Sequence, residues 1–278
     1  MTPSIVPDHA RIGRTSLTVS DLDEVVAFYR DVVGLAVQSR TESEATLGAG
    51  EMPLLVLTRD EDAPPRTSDQ TGLFHNAFLV PSRAALGAAL ERIRDRWELD
   101  GASDHYVSEA LYLSDPEGNG VEIYADRSRE EWPRTADGRV RIGTIPLDLS
   151  TLASRSDGSE EVPPETTTGH VHLEVSSLAA ARTFYVDTLG LRLQTELSNA
   201  LFVAAGDYHH HLGLNTWNGR STPVGGRGLA WFEVVVADAE TLSTVRRRLA
   251  DDGVSTADRE TGFAVVDPDG ITIRFTVE

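Results

Sequence analysis

Thr15-Ser16-Leu17-Thr18-Val19-Ser20-Asp21-Leu22 and Val171-His172-Leu173-Glu174-Val175-Ser176-Ser177-Leu178 are two versions of one phrase in the same chain. Each alternates apolar and polar residues, the period of a half-buried strand. Each leads into a helix-period stretch, Val25, Val26, Phe28 and Tyr29 in the first and Ala180, Ala181, Phe184 and Tyr185 in the second. Asp21 and Ser177 stand where an N-cap is wanted. Both helices run into a glycine, in Val33-Gly34-Leu35 and Leu189-Gly190-Leu191, which suits a left-handed cap. Apolar strand candidates follow at Ala45–Leu47 and Leu54–Leu57, then at Ala200–Ala204 and Leu212–Asn215. A repeat of this size decides the architecture before any single residue does.

Two more diverged copies complete the pattern. Phe74–Val80, a helix from about Ser82 to Trp97, Ala110–Leu113 and Gly120–Tyr124 form one. Ala230–Val236, a helix from about Ala239 to Ala250, Gly262–Val266 and Ile271–Thr276 form the other. Their last strands follow matching tight turns, Asp115-Pro116-Glu117-Gly118 and Asp267-Pro268-Asp269-Gly270. The expectation is an α+β protein of four βαβββ modules. Residues 1–126 hold the first pair, 127–168 a connection and 169–278 the second pair. The connection is too long for an ordinary loop, so it links domains or wraps the surface. Trp132 and residues 142–152 suggest that part of it packs.

Composition narrows the function. The 278 residues carry 25 Lys and Arg against 44 Asp and Glu, a formal charge of −19. Such an acid excess disfavours nucleic acid and anionic membranes as partners. The absence of cysteine removes disulfides, thiolate metal sites and cysteine nucleophiles together, so any metal must be held by His, Asp, Glu or Tyr. Met1–Asp8 has neither a basic nor an apolar segment of a signal peptide, and no run reaches the ~18–20 apolar residues of a membrane span. The expectation is a cytoplasmic protein, with exposed sheet edges as a route to self-association into homo-oligomers.

Four βαβββ units, with Ala27-Phe28-Tyr29 repeated as Thr183-Phe184-Tyr185, resemble the vicinal oxygen chelate superfamily. The resemblance implies two cupped mixed sheets with helices outside, and a metal in a cup. The superfamily includes isomerases, resistance proteins and extradiol dioxygenases, so the fold alone does not fix the function. The family's ligand position near the start of each first strand holds Arg14, His75, His170 and Trp231 in the four units. The position seven residues past the turn Asp holds Glu122 and Arg274. His75, Glu122 and His170 are therefore the implied metal ligands. Two histidines and a carboxylate are the facial triad of non-haem Fe(II) oxygenases, and Mn(II) would use the same set. His172 shares a strand face with His170 and could line the pocket or replace it.

The His-plus-Glu unit precedes the single-His unit here, the reverse of the extradiol order. The triad then requires unit two to pair with unit three, and one with four. Pairing within each half would separate His170 from Glu122. The catechol 2,3-dioxygenase branch also implies a His before Leu212-Gly213-Leu214, matched by His210, and a Tyr three residues before the turn Asp, matched by Tyr112. His105 on the preceding loop is a further counterpart. The implied activity is O₂-dependent cleavage of a catechol beside its diol, giving a hydroxymuconic semialdehyde. His210 would handle the proton, Tyr112 would bond the substrate oxygen, and His105 would hold the other side of the ring. Plain structural roles stand beside these: a solvent-facing Glu122, a solvated His209–His211 loop, an ordinary strand tyrosine at Tyr112 and an ordinary loop histidine at His105. A four-ligand glyoxalase-like isomerase and a non-enzymatic ligand-binding resistance protein are the rival functions.

Overall fold

The computed structural model describes residues 6–278; Met1–Ile5, part of the stretch read above for a targeting signal, lie outside the described residues. The first module comprises β1 (Arg11–Val19), α1 (Leu22–Phe28), β2 (Ala36–Arg40), β3 (Glu44–Ala49) and β4 (Met52–Arg59). The second comprises β5 (Gly72–Leu79), α2 (Arg83–Arg96), β6 (Gly101–Asp104), β7 (Ser108–Ser114) and β8 (Gly120–Asp126). The connection carries β9 (Ile145–Pro146) and α3 (Leu149–Ala153). Then come β10 (Thr167–Glu174), α4 (Leu178–Ala181), β11 (Arg192–Leu197), β12 (Ala200–Ala204) and β13 (Leu212–Asn215). The last module is β14 (Gly228–Val236), α5 (Ala239–Asp251), β15 (Ala257–Arg259), β16 (Gly262–Val266) and β17 (Thr272–Val277).

The four module helices are capped at equivalent places. Asp21, Ser82, Ser177 and Asp238 each accept the backbone N–H three residues on. Both helices of the repeated phrase end in a π-helical turn, Tyr29–Val33 and Arg182–Thr188, before Gly34 (φ 93°) and Gly190 (φ 78°). Sequence reading missed the first strand of each terminal trio, β2, β6, β11 and β15. These strands are half-buried or exposed over most of their length and carry mixed polar residues, so their alternation does not show an apolar face.

Among the described residues the strands form two mixed sheets. One runs β15-β16-β17-β14-β1-β4-β3-β2 and joins the first module to the fourth. The other runs β11-β12-β13-β10-β5-β8-β7-β6-β9 and joins the second to the third. The central seams are antiparallel, β1 against β14 and β5 against β10. This is the cupped α+β architecture of four βαβββ modules, with each sheet taking one module from each half of the chain. The connection wraps the surface: β9 covers the edge of β6, Trp132 and Val140 are buried, and Val162 N donates to Gly34 O at 2.9 Å. Buried Arg92 donates to the helix-end carbonyls of Val32 and Val33 and to Ser159 O of the connection. No helix among the described residues is long and apolar enough to cross a membrane.

The repeated Phe-Tyr phrase ties the two sheets together. Tyr185 OH donates to Asp267 Oδ2 at 2.8 Å, and Tyr29 OH to Asp115 Oδ2 at 3.4 Å. Each aspartate caps its own turn through Oδ1, which accepts from Asp269 N and Ile271 N, or from Glu117 N and Asn119 N. The helix tyrosine of each half's first module thus anchors the last-strand turn of its second. Tyr185→Phe should lose about 1–3 kcal/mol of stability in urea unfolding, the cost of leaving a buried acceptor unmet. Tyr29→Phe should lose less, because its bond is longer.

Burial pushes the Asp267 carboxyl up to about 6. The unfolded chain releases that proton near pH 4, so the stabilising contribution is complete below about 4 and is lost as pH rises to about 6. The stability of Asp267→Asn relative to the parent should therefore shift across that window by up to about 3 kcal/mol, against the parent as pH rises.

Candidate metal centre

Strand register assembles the site. His170 on β10 lies opposite Ala77 on β5, Ala77 opposite Glu122 on β8, and Glu122 opposite Tyr112 on β7. The neighbouring row on the same face runs His172, His75, Gly120, Ser114. The small residues are required there. A Cβ at Gly120 would lie 2.0 Å from Phe74 O and 3.1 Å from His75 Cβ. The large side chains of the two rows then lean together over Ala77.

His75, Glu122 and His170 are buried, and their donor atoms lie within 4.8 Å of one another. His75 Nε2 is 2.9 Å from Glu122 Oε2, His170 Nε2 is 3.1 Å from the same oxygen, and the two nitrogens are 3.3 Å apart. Burial holds His170 down at about 4, so this imidazole is neutral at neutral pH with a lone pair to give. Burial works to raise Glu122, but the two imidazoles outweigh it and hold the carboxyl well below the usual carboxylate range. One anionic oxygen and two convergent ring nitrogens fit a divalent transition metal. Nδ1 of His170 is buried without a hydrogen-bond partner, so ring packing rather than a polar anchor orients this side chain.

The fourth corner of the pseudo-symmetric site is vacated by sequence. Glu122 stands opposite the residue two past His75; the same step from His170 reaches His172, opposite Gly213 on β13. Gly213 has no ligand to offer, and a Cβ there would lie 2.7 Å from the His172 ring. His172 lines the cavity beside His75, with ring centroids 4.8 Å apart and Nε2 unpartnered, and stands outside the three-residue donor cluster.

Tyr112, His105 and His210 surround the triad. Burial, with help from the Glu122 charge, raises the Tyr112 phenol well above its ordinary value, so it is a proton-bearing donor. Its O–H donates to His105 Nε2 at 2.6 Å, and His105 Nδ1–H donates to Gly143 O at 2.6 Å. Gly143 belongs to the connection, and a Cβ there would lie 2.0 Å from the Tyr106 ring. The wrapped segment therefore sets the orientation of His105. His210 packs its ring 4.1 Å from that of His170 and 5.1 Å from that of Phe202. All six residues line one cavity of about 740 Å³, whose apolar walls include Phe74, Phe202, Ile142 and Trp217. Trp217 stands at the mouth of this cavity, and Asn215, fully buried, uses Oδ1 to accept Trp217 N.

Sequence reasoning missed Asp126, which shares a strand face with Glu122 four residues earlier and reaches His209 behind the site. That spacing was the available signal. Among the described residues the other cup holds no such donor set. Arg14 pairs with Glu233 at 2.6 Å, and the Arg274 guanidinium lies 3.7 Å over the Trp231 ring.

Comparison with known proteins agrees with this fold. The family profile described as Glyoxalase/Bleomycin resistance protein/Dioxygenase superfamily matches residues 11–123 and 167–275. A Catechol-2,3-dioxygenase of Bacillus subtilis (strain 168) is 39% identical over 284 aligned residues, covering 98% of this chain and 99% of that protein. A Glutathione transferase FosA of Serratia marcescens is 30% identical over 122 residues, covering 41% of this chain and 79% of its own. Among solved structures, glyoxalase I of Zea mays superposes with a TM-score of 0.60 at 17% identity, over 96% of this chain and 92% of that one, a likeness of fold. A profile match across both halves, on a fold of four βαβββ modules, makes this chain a member of the glyoxalase/bleomycin resistance protein/dioxygenase superfamily.

Proposed function

We propose that the protein is an Fe(II)-dependent extradiol dioxygenase that opens a catechol-type ring with O₂ to a hydroxymuconic semialdehyde. The observation that carries this reading is a three-donor cluster with its fourth corner deleted at Gly213, set in a large aromatic-walled cavity beside Tyr112 and His210. Three protein ligands leave room for two substrate oxygens and O₂, whereas a four-ligand isomerase fills the corner left bare here. The near full-length likeness to a catechol-2,3-dioxygenase supports the same reading.

Fe(II) held by His75, Glu122 and His170 would supply the open coordination positions and the one-electron chemistry that O₂ needs to react with a closed-shell catechol, and Mn(II) suits the same donors. The remaining work belongs to the chain. Phe74, Phe202 and Trp217 pack an aromatic ring and exclude water. Tyr112, kept protonated, bonds a substrate oxygen by turning toward it the single hydroxyl proton that it otherwise gives to His105 Nε2. His210, neutral because burial holds it well below the usual imidazole range, offers Nε2 to take the second hydroxyl proton and return it later.

Anaerobic loading with Fe(II), followed by O₂ uptake and absorbance with catechol and substituted catechols, tests the reading. Stoichiometric uptake with a yellow ring-fission product is expected. His75→Ala and Glu122→Ala should lose both bound metal and uptake. His210→Phe should keep its metal and lose about 10²–10⁴-fold in kcat, the usual worth of a positioned acid–base group. Bound iron without uptake on any catechol would sink the proposal.

A further inference from the structure

Behind His210, on the side away from the cavity, a chain of hydrogen bonds runs into the protein. His210 Nδ1 lies 2.7 Å from His209 Nδ1, and His209 Nε2 lies 2.9 Å from Asp126 Oδ1. His209 is 0% exposed and lines none of the site cavity. Asp126 Oδ2 accepts from Tyr208 OH at 2.9 Å, whose oxygen accepts from Tyr124 OH at 2.8 Å. Residue 169 must be glycine for that arrangement, since a Cβ would stand 1.8 Å from the Tyr124 hydroxyl. Trp132 closes the far side, its ring 5.2 Å from His209 and its Nε1–H donating to Arg127 O at 3.0 Å. Nothing in the metal cluster requires these groups.

The order of donors follows from chemistry. Asp126 is an acceptor only, so His209 presents Nε2–H to it. A His209 ring that carries only this proton has a bare Nδ1, which accepts from His210 Nδ1–H across the 2.7 Å contact. The nitrogen left over, His210 Nε2, carries its lone pair into the cavity. We propose that Asp126 and His209 are positioning residues that fix the orientation and tautomer of His210, so that its bare Nε2 faces the substrate. The inference rests on the role given to His210 above. In the step concerned, the substrate O–H bond breaks, the proton goes to Nε2 and the electron pair stays on the substrate oxygen. The imidazolium formed is stabilised through Nδ1–H by His209, which the Asp126 carboxylate polarises. Returning the proton restores the starting ring, so the step consumes nothing.

The test is a substitution that keeps shape and reverses hydrogen-bond sense. In Asp126→Asn the side-chain amide donates to His209 Nε2, so His209 carries its proton on Nδ1 and forces His210 into the Nε2–H form. Nitrogen-15 NMR of the full-length protein loaded with diamagnetic Zn(II) reads the tautomers directly. The parent should show His210 protonated at Nδ1, and Asp126→Asn should show it protonated at Nε2, with zinc content unchanged. In Fe(II)-loaded protein, kcat should fall about 10²-fold or more while KM stays within about threefold, with partial recovery in Asp126→Glu. Tyr208→Phe, which removes a bond to Asp126 without touching His209, should leave the tautomer as in the parent. A parent His210 protonated at Nε2 overturns the proposal, and this holds even if the asparagine variant fails to fold. An unchanged tautomer in Asp126→Asn, or a kcat within twofold of the parent, overturns it as well. Swapped tautomers in a protein that cleaves no catechol would defeat the reaction assigned above and leave the positioning of His210 standing.

Discussion

The antiparallel seam between β5 and β10 is the constraint on which the site depends. β5 carries His75, its parallel neighbour β8 carries Glu122, and β10 carries His170. A slip of one residue along this seam would turn His170 to the opposite face, because strand side chains alternate. The register is held by burial on both faces. The helix side takes Leu73, Val121, Val171 and Leu173, while the cup side takes the two polar rows. Burying three polar side chains costs desolvation. The apolar packing on the helix side contributes the burial that offsets this cost.

Small residues carry as much of the design as the ligands do. Ala77 and Gly120 let the histidines and glutamate lean over the seam, Gly213 makes room for His172 and leaves a corner bare, and Gly169 admits the Tyr124 hydroxyl. The other cup shows the alternative outcome of the same topology. There Arg14 pairs with Glu233 and Arg274 stacks on Trp231. An arginine is a poor ligand because it stays protonated and donates only, so one cup holds an ion pair and a cation–π contact where its twin converges three donor atoms.

The long connection is part of the site as well as a tether. It covers the β6 edge, packs Trp132 against His209, and supplies the Gly143 carbonyl that His105 uses. Groups that line a reaction cavity need fixed directions, and side chains on strands gain these from polar anchors behind them. Tyr112, His105 and His210 each have such an anchor, in His105, the Gly143 carbonyl and His209 respectively.

Local physics was legible from the sequence. The period-2 strands, the caps at Asp21 and Ser177, the glycine stops and the Asp-Pro-x-Gly turns all depend on neighbours within a few residues, so they can be read from the chain directly. The four-module repeat followed, and it singled out His75, Glu122, His170, Tyr112, His105 and His210 as positions to compare. The outer strands β2, β6, β11 and β15 escaped because their burial is too slight to leave an apolar pattern. The ligand set already required the second module to pair with the third, as the sheets do; tertiary structure alone decided that Gly213 sits at the vacant corner and that Asp126 meets His209. Each of those facts is a contact between residues tens of positions apart. Such contacts are set by how whole faces pack, and no local periodicity encodes them.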